Sequence, residues 1–287
     1  MKLKIIKDNS AVGLGSTILR VLHNLQHLSD DRILYFEINN LLYSSQGNTW
    51  NKFFYQPFEN NKDEIKSLFK KGDYEIETCW YKCGKFVLSY GKDQDKDQFL
   101  NRDFVSPLRK IIQKYFKIKK EIAEIGDTFI KNNNDMQNVL SVHKRGTDHF
   151  VSGGHAAGQK HLMDYKAVIK PSIERALKDK KCDKIFLATD EQETYDNIKR
   201  DFGNILLKYN TELIPTGSDG GLHYSNAYSD ENKKYKLGVD MLTDVTIMAA
   251  CKYSLCMKSN VSILNILLRD NYNYEFIDNH IDYGMAG

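Results

Sequence analysis

Asn138–Phe150, NVLSVHKRGTDHF, is the stretch from which the fold is read. Its first half, Val139–Val142, is an apolar, β-branched run with the composition of a buried strand. It breaks at once into His143-Lys144-Arg145-Gly146-Thr147-Asp148-His149, a run of cationic or titratable groups with a glycine, a hydroxyl and a carboxylate. In open α/β sheets, ligands bind beyond the carboxyl ends of the strands. A strand that ends in Arg-Gly-Thr-Asp is therefore placed to hold an anion. Arg145 offers a planar fork of donors suited to phosphate oxygens, and Gly146 lets the backbone turn and approach a ligand. The same residues also fit a plain polar turn closed by a surface salt bridge.

Downstream of this stretch the pattern is an α/β alternation. Asp164–Lys178 reads as an amphipathic helix with its proline in the interior or at a break. Asp183–Thr189 (DKIFLAT) reads as a strand running into Asp190-Glu191. Glu193–Phe202 is a predicted helix and Ile205–Tyr209 a short strand. Gly217–Lys236 is a long polar loop, and Val239–Ala250 an apolar helix interrupted by Asp240 and Asp244. Tyr253–Cys256 is a strand that stops at Met257-Lys258-Ser259-Asn260. Val261–Leu268 is a buried helix, and Glu275–Ile277 a final strand.

Upstream, Lys2–Lys7 alternates apolar and basic residues as a strand. DNSAVGLGS follows, then a helix over Thr17–His27 and a strand over Arg32–Asn39, the opening of a nucleotide-fold-like unit. Gly13-Leu14-Gly15 at the helix entrance can present N–H groups to a phosphate. It is only a G-x-G, with Ile18 where the third glycine of the dinucleotide fingerprint would stand. Asn40–Asp103 is polar, aromatic and irregular. Its Trp50, Phe53, Phe54, Tyr55 and Phe58 either pave a carbohydrate surface or form a small satellite core. Two helices follow, Asp103–Phe116 and Ile118–Ile130, and Lys131–Asp135 reads as a linker. The domains expected are 1–134, with the glycine turn, and 135–287.

Composition excludes several classes. Lys+Arg exceed Asp+Glu by only 41 to 38 over 287 residues, and no basic run is long or aromatic-interleaved enough for a nucleic-acid groove. No signal peptide and no transmembrane segment stands out, so the chain reads as soluble and cytoplasmic. Five cysteines without framework spacing indicate a reducing compartment. Cys79 and Cys83 lack the second pair a zinc site needs. His143, His149, His155 and His161, six apart, fit neither a helix face nor common zinc spacing, and no metal is expected.

In a parallel sheet the tips after successive strands line one edge. Arg145/Asp148, Asp190/Glu191, Asp244 and Ser259/Asn260 can thus meet around one ligand. A carboxylate buried at Asp244 needs a partner. Ser259-Asn260 is an N-cap signal and, equally, an anion site at a helix start.

These residues resemble a known group. VHKRGTDH (Val142–His149) is similar to the first peptide motif of the α1,6-fucosyltransferase superfamily, which includes the nodulation-factor fucosyltransferases, IFLATDE (Ile185–Glu191) to the second, and GLH (Gly221–His223) with LTDVTIMAACKYSLCMKSNVS (Leu242–Ser262) to the third. GLGSTIL (Gly13–Leu19) is similar to its N-terminal glycine loop. The likeness covers residues 139–268 well and the first 40 weakly.

It implies an α/β, GT-B-like fold of two facing Rossmann-like domains with the donor in the cleft between them. The chemistry implied is inverting and metal-independent transfer of L-fucose from GDP-fucose to a glycan acceptor, with no cofactor. Carried over, Arg145 grips the β-phosphate, His143 lies near the guanine through its backbone, and Asp244 accepts from the guanine N–H groups. Ser259 and Asn260 touch the phosphates, Gly13, Gly15 and Ser16 close over them, and Asp190 and His223 complete the donor set.

The sequence departs from the family where Gly146 replaces a frequent second Arg and His149 replaces a Lys. It also lacks the later carboxylate that serves some members as base; Val151-Ser152-Gly153-Gly154-His155 stands there. The base is then Asp148, His149, His155 or a residue of the N-terminal half. Val151–Gln159 reads as a loop that orders over the donor. Two other readings stand beside this one: the same fold with another nucleotide sugar, and a catalytically silent glycan- or nucleotide-binding protein.

Overall fold

The computed structural model describes residues 3–9, 12–26, 33–44, 46–57, 62–78, 99–144, 164–215 and 230–277. The chain forms two compact units, one of residues 1–124 with 226–242, the other of 125–225 with 243–287.

The first unit is built on three parallel strands, β1 (Leu3–Asp8), β2 (Ile33–Ile38) and β3 (Tyr74–Thr78), in the order β2-β1-β3. The alternation in β1 has a clear outcome. Leu3, Ile5 and Ile6 are buried, while Lys4 pairs with Glu77 of β3 and Lys7 with Glu37 of β2 at 2.7 Å. Opposite charges across neighbouring strands favour this register. Helix α1 (Leu14–Leu25) follows β1 and buries Leu14, Ile18, Leu19, Val21, Leu22 and Leu25, the stripe expected of a helix on a sheet.

Asn40–Asp103, expected to be irregular, holds α2 (Trp50–Phe53), α3 (Lys62–Lys71) and β3. In α3, Ile65, Leu68 and Phe69 stand at helical spacing within a strongly charged stretch, and the charge obscured them. The aromatic cluster is a core. Trp50, Phe53 and Phe54 are at most 2% exposed, and the Trp50 ring lies 4.5 Å from Phe36 and 5.2 Å from Phe116. Phe58 lies outside the described residues.

Helices α4 (Arg102–Tyr115) and α5 (Lys120–Asn132) match expectation. Lys131 and Asn132, read as linker, are the last residues of α5, and Asn134–Met136 is a 3-10 turn leading into the next strand.

The second unit is a five-stranded parallel sheet in the order β6-β5-β4-β7-β8. Its strands are β4 (Val139–His143), β5 (Lys184–Ala188), β6 (Leu206–Leu207), β7 (Tyr253–Cys256) and β8 (Tyr274–Phe276). β4, the opening stretch of the sequence, is the central strand and buried throughout. Its helices are α6 (Lys170–Lys180), α7 (Gln192–Phe202), α8 (Glu231–Ala250, shared with the first unit) and α9 (Asn260–Leu268). One core joins Leu140 and Val142 to Ile173 of α6, Ile185 and Leu187 of β5, Ile198 of α7 and Leu255 of β7.

Two boundaries differ most from expectation. The loop expected through Lys236 ends earlier, because α8 starts at Glu231. ENKKYK is polar but contains no helix breaker, and Lys236 pairs with Asp240 one turn on. The remainder of that loop, 217–229, lies outside the described residues. The expected helix over Asp164–Lys178 opens with a π-helical turn, Tyr165–Ile169, before α6. Pro171, near the start of α6, cannot donate to a carbonyl of the preceding turn, so the chain widens there.

Below the sheet, Arg269 is 1% exposed and closes the end of α8. Its guanidinium donates to the Met248 and Cys251 carbonyls at 2.8 and 2.6 Å and to Ser254 Oγ at 2.5 Å. Last-turn carbonyls have no partner within their own helix, and a cation suits that end of the dipole. Among the described residues, no helix is long and apolar enough to cross a membrane.

One cluster gives a pH prediction. Asp201 accepts from Tyr165 Oη at 3.0 Å and pairs with Lys170 at 3.1 Å and Arg200 at 3.0 Å. The hydrogen bond from Arg200 first, then those from Lys170 and Tyr165, draw its carboxyl from the ordinary 3.8 down to about 2. A carboxyl depressed on folding contributes stability above its unfolded pKa, and that contribution is lost as pH falls through the folded one. The melting temperature of Asp201→Asn should therefore lie below that of the wild type at pH 5, and the gap should narrow steeply as the pH falls toward 2. Calorimetry across that range checks this, and a difference independent of pH would refute it.

Candidate functional site

The order β6-β5-β4-β7-β8 reverses direction between β4 and β7. At such a switch point the connections leave to opposite sides and open a crevice beyond the carboxyl ends. The ends of these two strands carry the polar residues of the opening stretch and of the third motif. His143, 6% exposed, closes β4, and its Nδ1 lies 2.7 Å from Ser262 Oγ and 3.3 Å from Ser259 Oγ. Ser259 caps α9, its Oγ accepting from the Ser262 N–H at 3.1 Å, as the N-cap signal predicts. The backbone of His143, expected near the base of a bound nucleotide, is tied to the turn before α9, its carbonyl accepting from the Met257 N–H at 3.1 Å.

Next along the edge, Lys144 is joined to the β5–α7 turn twice. Its N–H donates to the Ala188 carbonyl at 3.1 Å, and its ammonium pairs with Glu191. Both side chains are buried, and Glu191 also accepts from Thr194 Oγ1. Beside them, the Asp190 carbonyl accepts from the Ile214 N–H at 2.9 Å, and the Ile214 carbonyl from the Gln192 N–H at 2.9 Å. The segment after β6 is thereby pinned to the same turn. It presents Thr211, whose Oγ1 donates to Asp244 Oδ2 at 3.0 Å. Asp244 lies in α8 and is 8% exposed, and this hydroxyl is one of the partners that a buried carboxylate demands. The edge therefore runs from Ser262 through His143, Lys144 and Glu191 to Thr211 and Asp244.

The glycine turn belongs to the first unit. Gly13 is the N-cap of α1, with Gly15 and Ser16 in its first turn. Asn40 braces it, donating to the Val12 carbonyl at 2.6 Å and to Thr17 Oγ1 at 2.9 Å, and the Leu14 N–H donates to Tyr43 Oη at 2.9 Å. Gly13 has an ordinary φ of −54°, and a methyl there would meet only the Tyr43 hydroxyl, at 3.9 Å, among the described residues. Neither its backbone nor those neighbours require a glycine.

Of the residues expected at a site, His143, Asp190, Asp244, Ser259 and Asn260 lie in the second unit, on or beside this edge. Arg145, Asp148, His149, His155 and His223 lie outside the described residues, as does the expected loop Val151–Gln159. Sequence reasoning left out Lys144, Ser262, Thr194 and Thr211. Ser262, three residues after the cap, occupies the position a capping side chain reaches, which is a readable signal. Thr211 is 33 residues from Asp244, and no local pattern connects them.

No protein-family model matches this sequence, and no curated protein does. Solved structures do match. The α-1,6-fucosyltransferase NodZ co-crystallised with GDP aligns over 93% of this chain and 92% of its own, at 15% identity and a TM-score of 0.56. NodZ soaked with GDP-fucose covers the same shares at 15% identity with a TM-score of 0.53. Arabidopsis thaliana FUT1 in complex with GDP aligns over 93% of this chain and 68% of its own, at 11% identity and a TM-score of 0.51. These likenesses establish architecture: the chain has the GT-B-like α/β fold of the fucosyltransferases NodZ and FUT1, as its motifs predict.

Proposed function

We propose that this protein is a glycosyltransferase that moves L-fucose from GDP-fucose to a glycan acceptor, with inversion and without a metal. The observation that carries the reading is the polar edge at the β4/β7 switch point, in a fold shared with a fucosyltransferase co-crystallised with GDP. In this reading Arg145 takes the β-phosphate, and Ser259 with the first amides of α9, from Asn260, takes the remaining phosphate oxygens. Asp244 accepts from the guanine N–H groups, and His143, Asp190 and His223 complete the donor set. Gly13, Gly15 and Ser16, at the start of α1, keep the phosphate-binding role that the motif gives them.

In the reaction, an acceptor hydroxyl attacks the anomeric carbon as its bond to the β-phosphate oxygen breaks. The acceptor proton passes to Asp148, His149, His155 or a residue of the N-terminal half, and GDP leaves with its added negative charge. Without a metal, that charge is met by donors already in place. A charge-assisted hydrogen bond contributes about 1.5–3 kcal/mol, so Arg145→Ala should lower turnover at least tenfold.

A panel of GDP-, UDP- and dTDP-sugars, assayed for nucleotide release in the presence of a chelator, tests the proposal. Release of GDP from GDP-fucose, cut tenfold or more by Arg145→Ala, is the expected result. Release from another donor alone, or thermal stabilisation by GDP without any turnover, would overturn it.

A further inference from the structure

We infer that Thr211 is the positioning residue that sets nucleobase selectivity, by fixing the rotation of the Asp244 carboxylate. The inference rests on the proposed guanine-nucleotide donor and adds a residue to it.

Guanine presents two adjacent donors, N1–H and the 2-amino group, and a carboxylate meets both only when its plane is correctly turned. The terminal torsion of an aspartate is soft and broad, so the orientation has to come from a neighbour. Thr211 supplies it, Oγ1 donating to Asp244 Oδ2 at 3.0 Å.

The threonine is itself held. Its N–H donates to the Tyr209 carbonyl at 2.8 Å, and Lys208 Nζ donates to the Tyr209 and Thr211 carbonyls at 3.1 and 3.2 Å. The Tyr209 ring packs edge-on against Phe129 at 6.2 Å, and Ile214, three residues beyond Thr211, is bonded to Asp190 and Gln192. A hydroxyl carried on so braced a segment acts as a fixed peg. With valine at 211 the carboxylate swings, and one of its two bonds to the base is lost.

The test is calorimetric titration of the full chain with GDP, IDP and ADP, where IDP differs from GDP only in lacking the 2-amino group. The wild type should bind GDP about tenfold or more tighter than IDP, the value of one hydrogen bond to a charged acceptor. Thr211→Val should cut that ratio to about threefold or less, and Thr211→Ser, which keeps the hydroxyl, should restore it. Unfolding midpoints of all three proteins are measured alongside. If Thr211→Val weakens GDP and IDP equally, or leaves the ratio unchanged, Thr211 has no positioning role and the inference fails alone. If the wild type does not prefer GDP to ADP, the donor assignment fails and takes the inference with it.

Discussion

Lys144→Met is expected to cost about 3–5 kcal/mol of folding stability, because it strands a buried carboxylate. Lys144 and Glu191 have side chains only 6% and 4% exposed, and the pair joins the end of β4 to the start of α7. With the ammonium gone, Glu191 keeps the Thr194 hydroxyl and no longer has this cation to offset its desolvation. The double variant Lys144→Met/Glu191→Leu removes both charges and should recover most of the loss, since an apolar pair of similar volume often matches a buried ion pair. Urea unfolding of the two variants beside the wild type decides the matter. A single variant no less stable than the double one would mean that the pair is not buried as described.

The second large effect is expected at Gly238. A methyl group there would lie 2.3 Å from Phe53 Cζ and 2.4 Å from its Cε1, well inside contact distance. Phe53 has nowhere to retreat. It is 0% exposed, stacked on Tyr235 at 5.5 Å with 18° between planes, and edge-on to Tyr43 at 6.3 Å. Overpacking of this kind costs about 1–3 kcal/mol, which outweighs the helical preference for alanine, about 1 kcal/mol over glycine. Gly238→Ala should therefore lower the melting temperature, although by helix propensity alone it would raise it. Gly238→Ala/Phe53→Leu should recover part of the loss, and a melting temperature unchanged by Gly238→Ala would refute the close contact.

The two predictions separate what local pattern carries from what it does not. β4 was legible because a short, mostly apolar run breaks sharply into charged and polar residues, and a central parallel strand is buried on both faces. Its place in the middle of the sheet, between β5 and β7, was not legible, since pairings across the fold set strand order. Ser259 was legible as a cap because the interaction closes within three residues. Asp244 was legible as a buried carboxylate in an apolar helix, but its partner was not. The bonds Lys144–Glu191 and Thr211–Asp244 span 47 and 33 residues, and only the folded sheet brings their ends together. The aromatic run at 50–54 showed a different ambiguity, since the same rings suit a sugar surface and a core; burial chose the core. The start of α8 was missed because six polar residues resemble a loop until a helix draws Lys236 onto Asp240.

Residues 226–242 complete a unit whose other members all precede position 125. Tyr235 and Gly238 are part of the packing around Phe53, so that core stays open at one side until they arrive. On a ribosome, the amino-terminal half emerges early and waits unfinished while about a hundred further residues are made, whereas the sheet around β4 can begin to assemble in the meantime. The half made first is thus finished only after most of the other unit has been made, and is the one exposed longest to chaperones and proteases.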